Sequence, residues 1–274
     1  MIGFFSFQEY ESGLVAKIAN VTTFTASLDD TNYHLAKGFS VLLVFVHDRL
    51  GAQAVAFLEK HGLERIILRA TGSDGIDIPP GSGVRLDRIP SYSPHTIAEF
   101  TLGLILSCAR QLPLLDLRGP KSPPAPRIGI ELFGKKAAVL GTGSIGSVVA
   151  RMLAALGMRV LCFDTAPQPD LSYTDCLPIL LKDAQVVTFH LPLTPHTRHL
   201  ISDYRQLERN CIVVNASRAD LIREEAILDG LRAGHFHSLA LDVFPDEVHP
   251  EYFLSKVSAY PNVILTPHVA YLTF

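Results

Sequence analysis

Short apolar runs alternate with segments of helical or loop pattern through the second half of the chain, from about residue 134 onward. The runs are continuous and rich in Val, Leu and Ile, which is typical of parallel strands buried on both faces. Six such strands in alternation with helices predict a doubly wound parallel sheet of the α/β class. The predicted strands are 137–141, 159–163, 186–190, 211–215, 239–243 and 263–266, and a helix is predicted over 224–233.

The first hundred residues repeat this theme more weakly. The pattern over 51–61 is amphipathic and predicts a helix. Around it, short apolar runs predict five more strands, which indicates a second, smaller α/β unit. These strands are expected at 2–5, 21–24, 41–45, 66–68 and 84–86.

A long helix is predicted between the two units, over 94–112, with Ser93 as its N-cap and Pro94 at its first position. A proline-rich stretch at 119–126 follows, and it cannot continue a helix. The sequence therefore predicts a first domain over 1–112, which includes this linking helix, and a second domain over 113–274. We expect a cleft between the two domains.

The composition limits the classes of function. Of the 274 residues, 48% are hydrophobic, so a sizeable core is available. The net charge of -3 argues against a nucleic acid or an anionic membrane as the main partner. The start of the chain lacks the basic region of a signal peptide, and no apolar run reaches the roughly eighteen residues of a membrane helix. The four cysteines show no paired spacing. We therefore expect a soluble, cytoplasmic protein.

A glycine-rich turn is the most specific motif in the chain. Gly141, Gly143 and Gly146 form a G-x-G-x-x-G pattern between a predicted strand and a helical pattern. The first glycine allows a tight turn, the second lets the backbone approach a pyrophosphate, and the third lets helix and strand pack closely. Phosphates would bind at the helix N-terminus. The alternative, a glycine turn without function, does not account for this strand–turn–helix order, so we predict a dinucleotide site.

Asp164 bears on the choice of dinucleotide. It ends the strand that follows the glycine-rich turn and lies eighteen residues beyond Gly146, which suits an acid that accepts hydrogen bonds from ribose hydroxyls. A carboxylate at this place repels a 2′-phosphate, and no arginine follows it to offset that repulsion. We therefore predict NAD, rather than NADP, as the cofactor.

Charged side chains stand after the last three predicted strands. Arg218, Glu247 and His268 follow the fourth, fifth and sixth strands of the second domain. Ligands bind beyond the carboxyl ends of the strands in an open α/β sheet, so all three residues are expected at the edge that would hold NAD. Any one of them alone would be interpreted as a solvated or capping residue. The convergence of three favours a site.

These three side chains suit one reaction. An arginine fork holds a carboxylate through two hydrogen bonds. A histidine exchanges a hydroxyl proton, and a glutamate orients the imidazole and favours its charged form. Beside a nicotinamide, this set predicts hydride transfer to or from a 2-hydroxy acid.

We do not predict a metal site. His235 and His237 are candidate ligands two residues apart, but no further ligand cluster accompanies them. His196 and His199 lie in a polar loop and are interpreted as solvated.

The motifs resemble those of the D-isomer-specific 2-hydroxyacid dehydrogenases, and most closely the D-lactate dehydrogenases, over almost the whole chain. Arg218, Glu247 and His268 fall on the family's catalytic arginine, glutamate and acid–base histidine. The spacing of twenty-nine residues from Arg218 to Glu247 fits the family.

Three further segments carry the resemblance. The sequence His-Leu-Pro-Leu-Thr at 190–194 resembles the family's loop after the third strand of the cofactor domain. The segment 68–72 resembles the loop whose backbone N–H groups bind the substrate carboxylate. The segment 92–95 resembles the entry to the long helix, where D-lactate dehydrogenases place a pocket tyrosine.

The resemblance implies a role for each site residue. Arg218 would clamp the substrate carboxylate and carbonyl, His268 would transfer the proton, and Glu247 would hold His268. Substrate binding would also involve Thr71, Gly72 and Tyr92. The residues implied for NAD binding are Gly141, Gly143, Ser144, Ile145, Gly146, Asp164, Leu191, Pro192, Thr197, Ala216 and Asp242.

The resemblance also implies a fold, a reaction and an oligomer. The domain over 113–274 would be a Rossmann NAD-binding domain, and that over 1–112 a smaller flavodoxin-like substrate domain. The enzyme would interconvert a small 2-keto acid and a D-2-hydroxy acid. A homodimer is expected through the cofactor domain and the long helix. The apolar face of that helix would exceed what one domain buries, and its members are Ile97, Leu104, Ile105 and Cys108.

The chain departs from the family pattern at three places. Ala219 stands where the family prefers glycine, and Val248 where it prefers proline. The sequence ends at Phe274, shortly after His268, whereas the family continues with a helix that returns to the substrate domain. This ending leaves an alternative open, an NAD(H)-binding regulator or inactive member that lacks turnover. On that account we expect cofactor binding to survive while turnover is weak or absent.

Overall fold

The computed structural model describes residues 1–90, 94–115, 128–247 and 249–273. The chain divides into two compact units, Met1–Tyr92 and Ser93–Phe274, and each has a parallel sheet of its own. Tyr92, the predicted N-cap Ser93, the proline-rich stretch at 119–126 and Val248 lie outside the described residues.

Five parallel strands form the sheet of the first unit. They are β1 (Ile2–Phe4), β2 (Val21–Thr23), β3 (Val41–Val44), β4 (Arg65–Leu68) and β5 (Arg85–Arg88), close to the predicted positions. Their order in the sheet is β2-β1-β3-β4-β5. This is the strand order of flavodoxin-like folds, which the resemblance implied.

The first unit has a short helix, α1 (Ser12–Val15), and a longer one, α2 (Ala52–Lys60). The buried residues Val55 and Leu58 of α2 belong to the same core cluster as Leu42 and Ile66 of the sheet. The predicted helix over 51–61 is thereby confirmed, and its apolar stripe faces the core of this unit.

Six parallel strands form the sheet of the second unit. They are β6 (Lys136–Leu140), β7 (Arg159–Phe163), β8 (Val186–Phe189), β9 (Ile212–Asn215), β10 (Ser238–Leu241) and β11 (Val263–Leu265). Their order is β11-β10-β9-β8-β6-β7. A single parallel bridge between Cys162 and Tyr173 extends the sheet beyond β7. With that bridge in the place of a third strand, the order is that of a Rossmann sheet with one further strand.

Helices lie on both faces of this sheet. Neighbouring residues such as Val139 and Leu140 belong to different core clusters, so both faces of β6 are buried, as its continuous apolar run predicts. None of the helices in the described part of the chain combines the length and apolarity that a membrane span requires. The helices are α3 (Pro94–Arg110), α4 (Gly146–Ala155), α5 (Leu177–Asp183), α6 (Glu224–Arg232) and α7 (Glu251–Val257).

Helix α3 differs from the prediction in its end and in its packing. It ends at Arg110 because Gln111 has a φ of 52°, which no α-helical residue adopts. Leu104, Ile105 and Cys108 are buried in the core formed with β6 and β9, so α3 packs as part of the second unit rather than the first. The apolar face expected to remain for a partner is therefore largely covered within its own unit.

Candidate active site

The glycine-rich turn joins β6 to α4 and has the geometry that a dinucleotide requires. Gly141 has a φ of 90°, and a Cβ there would lie 2.6 Å from the carbonyl oxygen of His190. A Cβ on Gly146 would lie 1.9 Å from the carbonyl oxygen of Gly141, so only glycine allows this close approach. A Cβ on Gly143 would meet no atom within 4 Å. The turn is therefore closed on the protein side and open beside Gly143, where a pyrophosphate fits.

The start of α4 completes this cradle. Ser144 is exposed, and Ile145 forms the N-cap of the helix, so its first backbone N–H groups follow the open side of the turn directly. Such N–H groups and the helix dipole favour a bound phosphate. The local geometry supports the phosphate role predicted for these two residues.

Asp164 follows β7 and is held against the glycine-rich turn. Its Oδ2 accepts hydrogen bonds from the backbone N–H of Thr142 at 2.5 Å and from the Thr142 hydroxyl at 3.1 Å. Its Oδ1 accepts from the N–H of Ala166 at 2.9 Å. Burial alone would raise the pKa of the Asp164 carboxyl, but the hydrogen bonds from Thr142 and Ala166 outweigh it and lower the pKa below 3.8. The acid is therefore ionised at neutral pH and can accept from ribose hydroxyls.

The loops after β8 and β9 are tied to each other beside the turn. The Thr197 hydroxyl donates to the carbonyl oxygen of Pro192 at 2.7 Å, which closes the loop after β8. The Ser217 hydroxyl donates to the carbonyl oxygen of Leu191 at 2.6 Å and joins that loop to the one after β9. Ala216 precedes this contact. Four of the predicted cofactor residues thus lie in two loops that are joined at the carboxyl edge of the sheet: Leu191, Pro192, Thr197 and Ala216.

Arg218 stands on a turn that a buried asparagine organises. Asn215, at the end of β9, accepts from the N–H of Ser217 at 3.0 Å and donates to the carbonyl oxygen of Arg218 at 2.8 Å. The Arg218 side chain donates to the carbonyl oxygen of Ser217 at 2.8 Å. The amide of Asn215 therefore fixes the backbone from which the guanidinium extends.

Glu247 and His268 form a pair, as the sequence predicted. His268 Nδ1 lies 2.9 Å from Glu247 Oε2, and the two side chains are 17% and 12% exposed. His268 has a φ of 53°, an uncommon backbone conformation for a residue other than glycine. With Nδ1 held by the carboxylate, the imidazole presents Nε2 as its second nitrogen.

Asp242 has contacts that the sequence did not predict. It is fully buried at the end of β10, and its Oδ1 accepts from the N–H of Val269 at 3.0 Å and from the Thr266 hydroxyl at 2.6 Å. Its Oδ2 accepts from the N–H of Ala270 at 3.0 Å, and its own carbonyl accepts from the N–H of His268 at 2.9 Å. The predicted role of Asp242 beside the nicotinamide stays a prediction. In the structure it anchors the loop that carries His268.

The first unit holds two of the predicted substrate residues, Thr71 and Gly72, in the loop that follows β4. Arg69, just before them, is held between the rings of Phe4 and Phe45, with its guanidinium carbon 4.3 Å and 4.7 Å from their centres. This packing fixes the start of the loop to the sheet edge of its own unit. The third predicted substrate residue, Tyr92, lies outside the described residues.

The histidines that were weighed as metal ligands have protein neighbours. The His235 ring packs against Tyr204 and Phe236 and lies 3.3 Å from the carbonyl oxygen of Leu207. Burial lowers the pKa of His237 from its ordinary value, although backbone hydrogen bonds near the end of α3 oppose that change. His235 is thus a buried residue of the core, and His237 is a half-buried residue beside it.

Three residues beside the cofactor site were not predicted from the sequence. Thr142 lies within the glycine-rich turn, and Gln168 and Tyr173 follow Asp164; all three are joined by hydrogen bonds. His190 was quoted only as part of a motif, yet it lies against the turn, and burial lowers its pKa from 6.5 to about 4. The one signal for Thr142 was its position inside the motif itself.

Comparison with known proteins identifies the family. A family model described as D-isomer specific 2-hydroxyacid dehydrogenase, NAD binding domain, matches residues 102–270. The D-lactate dehydrogenase of Escherichia coli strain K12 is 31% identical over 260 residues, which cover 87% of this chain and 79% of that protein. The chain belongs to the D-isomer-specific 2-hydroxyacid dehydrogenase family. It is an NAD-dependent enzyme, and the predicted cofactor is confirmed.

Solved structures are similar over almost the whole chain. The D-lactate dehydrogenase of Aquifex aeolicus, complexed with NAD and lactic acid, has a TM-score of 0.85 and 28% identity, and the match covers 100% of this chain and 90% of that chain. The pyruvate reductase of Chlamydomonas reinhardtii has a TM-score of 0.82 and 31% identity, with 99% and 90% covered. The predicted fold is confirmed. The alternative, an NAD(H)-binding protein without turnover, gains no support, since these relatives carry the names of enzymes.

Proposed function

We propose that this protein interconverts a small 2-keto acid and the corresponding D-2-hydroxy acid, with NAD(H) as the hydride carrier. The observation that carries the proposal is the hydrogen bond of 2.9 Å between Glu247 Oε2 and His268 Nδ1. The pair follows β10 and β11, at the same sheet edge as the glycine-rich turn. A carboxylate-held imidazole at that edge is suited to moving a proton beside a nicotinamide.

Each residue of the site would have a separate task. Glu247 holds Nδ1 of His268, so Nε2 is the atom that would give a proton to the keto oxygen in reduction and take it back in oxidation. Arg218 extends from the turn that Asn215 fixes, and its fork suits the substrate carboxylate. NADH, when bound, supplies the hydride. Asp164 would accept hydrogen bonds from the adenosine ribose.

Pyruvate is the first substrate to test. Relatives with the names D-lactate dehydrogenase and pyruvate reductase support a small keto acid. The backbone of Thr71 and Gly72 would contribute N–H groups to its carboxylate. We propose that the substrates are small acids, and we expect neither a nucleic acid nor a membrane as a partner.

The proposal is tested by following NADH absorbance with purified protein and four acids: pyruvate, hydroxypyruvate, phenylpyruvate and glyoxylate. We expect NADH oxidation with at least one of them, and little oxidation with the His268→Ala variant. His34→Ala, at an exposed position in the first unit, is the matched control. If none of the four acids is reduced although NADH binds, the proposed reaction is wrong.

We also propose a homodimer formed through the second unit. Its support is a group of apolar side chains that the unit leaves exposed beside α3 and α4: Leu106 at 38%, Ile128 at 91%, Phe133 at 73% and Leu156 at 39%. Apolar groups of this kind mark protein interaction sites, and most soluble homo-oligomers are two-fold dimers. Light scattering at micromolar concentration tests this, and a monomer would contradict it.

A further inference from the structure

The segment that follows β7 folds back onto the glycine-rich turn. Cys162 of β7 forms a parallel bridge with Tyr173, where a Rossmann sheet has its third strand. The Tyr173 hydroxyl lies 2.8 Å from the Thr142 hydroxyl and 2.8 Å from the backbone nitrogen of Gln168. The Gln168 side-chain amide donates to the carbonyl oxygen of Thr142 at 2.7 Å. Thr142 is therefore contacted from this segment at both its backbone and its side chain.

The direction of these hydrogen bonds is determined by the groups themselves. The Asp164 carboxylate is an acceptor, so the Thr142 hydroxyl, 3.1 Å from Oδ2, must donate its one hydrogen to it. The Tyr173 hydroxyl accepts from the N–H of Gln168, so its own hydrogen is directed at the Thr142 oxygen. A chain of hydrogen bonds thus runs from Gln168 through Tyr173 and Thr142 to Asp164, with each group donating to the next.

Burial of Thr142 and the contacts of Arg151 hold this chain of hydrogen bonds in place. Thr142 is 1% exposed, so neither water nor a second rotamer readily replaces the contact with Tyr173. Arg151 of α4 fixes the far end, because it donates to Asp170 at 2.8 Å and to the Gln168 side-chain oxygen at 3.1 Å. The segment after Asp164 is thereby tied to the helix that starts at the phosphate cradle.

We propose that Tyr173 is a positioning residue for the NAD site, which acts through the Thr142 hydroxyl to hold Asp164 in the orientation that selects NAD over NADP. The proposal rests on the ribose role proposed above for Asp164. Oδ2 accepts from both Thr142 donors and Oδ1 accepts from the N–H of Ala166, so Oδ1 is the oxygen that would meet the ribose hydroxyls. Loss of the Tyr173 hydroxyl leaves the Thr142 oxygen without its donor, so the Thr142 hydroxyl is held less firmly and the carboxylate depends more on the backbone N–H groups.

The consequence concerns selectivity more than turnover. A carboxylate that is already fixed beside the ribose can accept hydrogen bonds from NADH with little loss of side-chain entropy. This preorganisation favours NADH binding. The same fixed charge faces the 2′-phosphate of NADPH and opposes it. If the carboxylate is held less firmly, both the favourable contact with NADH and the repulsion of NADPH become weaker. Removal of the Tyr173 hydroxyl should therefore raise the Kd of NADH and lower the preference for NADH over NADPH.

The experiment measures binding of NADH and NADPH to the purified protein by the change in nicotinamide fluorescence. Tyr173→Phe removes the hydroxyl, and Thr142→Val interrupts the same chain one link later. Asp164→Ala reports whether the acid contacts the cofactor at all. Tyr260→Phe is the matched control, since Tyr260 precedes β11 at the opposite edge of the sheet. Thermal unfolding of each variant shows that the fold is retained.

We expect Tyr173→Phe to raise the Kd of NADH about three- to ten-fold, the effect of one hydrogen bond, while the Kd of NADPH changes less than about two-fold. Thr142→Val should give the same change, and Tyr260→Phe none. The kcat with saturating NADH should stay within about two-fold, whereas the KM for NADH rises with the Kd. In the Asp164→Ala background, Tyr173→Phe should have no further effect, because its influence passes through Asp164.

Three results would overturn the proposal, each in a different way. If Asp164→Ala weakens NADH binding but Tyr173→Phe and Thr142→Val leave the ratio of the two Kd values unchanged, Tyr173 is merely structural and the role of Asp164 stands. If Asp164→Ala leaves both Kd values unchanged, the ribose role itself is wrong, and the proposal for Tyr173 falls with it. An undiminished effect of Tyr173→Phe in the Asp164→Ala background also contradicts it.

Discussion

The carboxylate of Asp242 accepts hydrogen bonds from the backbone N–H groups of Val269 and Ala270, each at 3.0 Å, so a buried acid at the end of one strand holds the loop after the next. His268 stands in that loop and is itself bonded to the Asp242 carbonyl oxygen. The position of the imidazole against Glu247 therefore depends on Asp242, whose hydrogen bonds hold the backbone of the His268 loop.

Asp242→Asn should disturb this loop, because an amide nitrogen would face a backbone N–H in place of a carboxylate oxygen. We expect a loss of about 1–3 kcal/mol in the free energy of unfolding, measured in urea, and a fall in kcat of at least about ten-fold. Asp229→Asn, which removes an exposed pair on α6, is the control. If NADH binding weakens as much as turnover, Asp242 acts at the nicotinamide as well.

Arg218→Lys should not be a conservative change. Lysine is a point charge and cannot reproduce the planar fork of a guanidinium on a carboxylate. The loss of a paired, charge-assisted contact of roughly 2–4 kcal/mol predicts a fall in kcat/KM of about 30- to 1000-fold. Steady-state kinetics with the best keto acid measure it, beside the exposed control Arg205→Lys. Unchanged kinetics would remove Arg218 from the mechanism.

His268→Ala should lose most of the turnover while it keeps its affinity for NADH, since the imidazole is assigned to proton transfer and not to cofactor binding. The two quantities are measured separately, by single-turnover kinetics and by fluorescence titration with NADH. A parallel loss of affinity and activity would show that His268 has a structural role.

Two glycines of the same turn should respond in opposite ways. Gly143→Ala adds a methyl group where no protein atom lies within 4 Å, so stability should change by less than about 0.5 kcal/mol while NADH binding weakens about ten-fold or more. Gly146→Ala places a Cβ 1.9 Å from the Gly141 carbonyl oxygen, so we expect a stability loss of about 1–3 kcal/mol. Unfolding curves and NADH titrations of both variants test this; equal behaviour would contradict the open and closed sides of the turn.

His190 should make stability depend on pH. Burial lowers the pKa of His190 from 6.5 to about 4. As the pH falls below 6.5, the unfolded chain therefore binds a proton at this residue while the folded protein does not. The stabilising contribution is present above pH 6.5 and is lost as the pH falls toward 4. Between pH 7 and pH 5 the loss amounts to about 2 kcal/mol. Urea unfolding of His190→Gln should lack this slope, whereas the exposed control His34→Gln should keep it.

The strands and the glycine-rich turn were predictable from the sequence because their patterns are local. Parallel strands buried on both faces leave continuous apolar runs, and all eleven were found near their predicted places. The end of α3 was not predicted, since nothing in the residue type of Gln111 indicates its positive φ. The unit to which α3 belongs depends on which core covers Leu104 and Ile105, and that is a tertiary property.

Within the site, the places of Glu247 and His268 after neighbouring strands predicted their pairing, but not the contacts beneath them. The family resemblance implied a cofactor role for Asp242, and only the folded loop shows where its oxygens are bound. Tyr173 lies in a segment without apolar periodicity, so a bridge of one residue gave no strand signal. Contacts that depend on long-range folding have no local signature to detect.

The most direct test of the account is the stereochemistry of the product. Pyruvate, or the best of the keto acids, is reduced with excess NADH, and the hydroxy acid is resolved on a chiral column for the unaltered protein and for His268→Ala. We predict one equivalent of the D-hydroxy acid per NADH oxidised, with formation nearly abolished in the variant. An L or racemic product, or a variant as active as the unaltered protein, would contradict it.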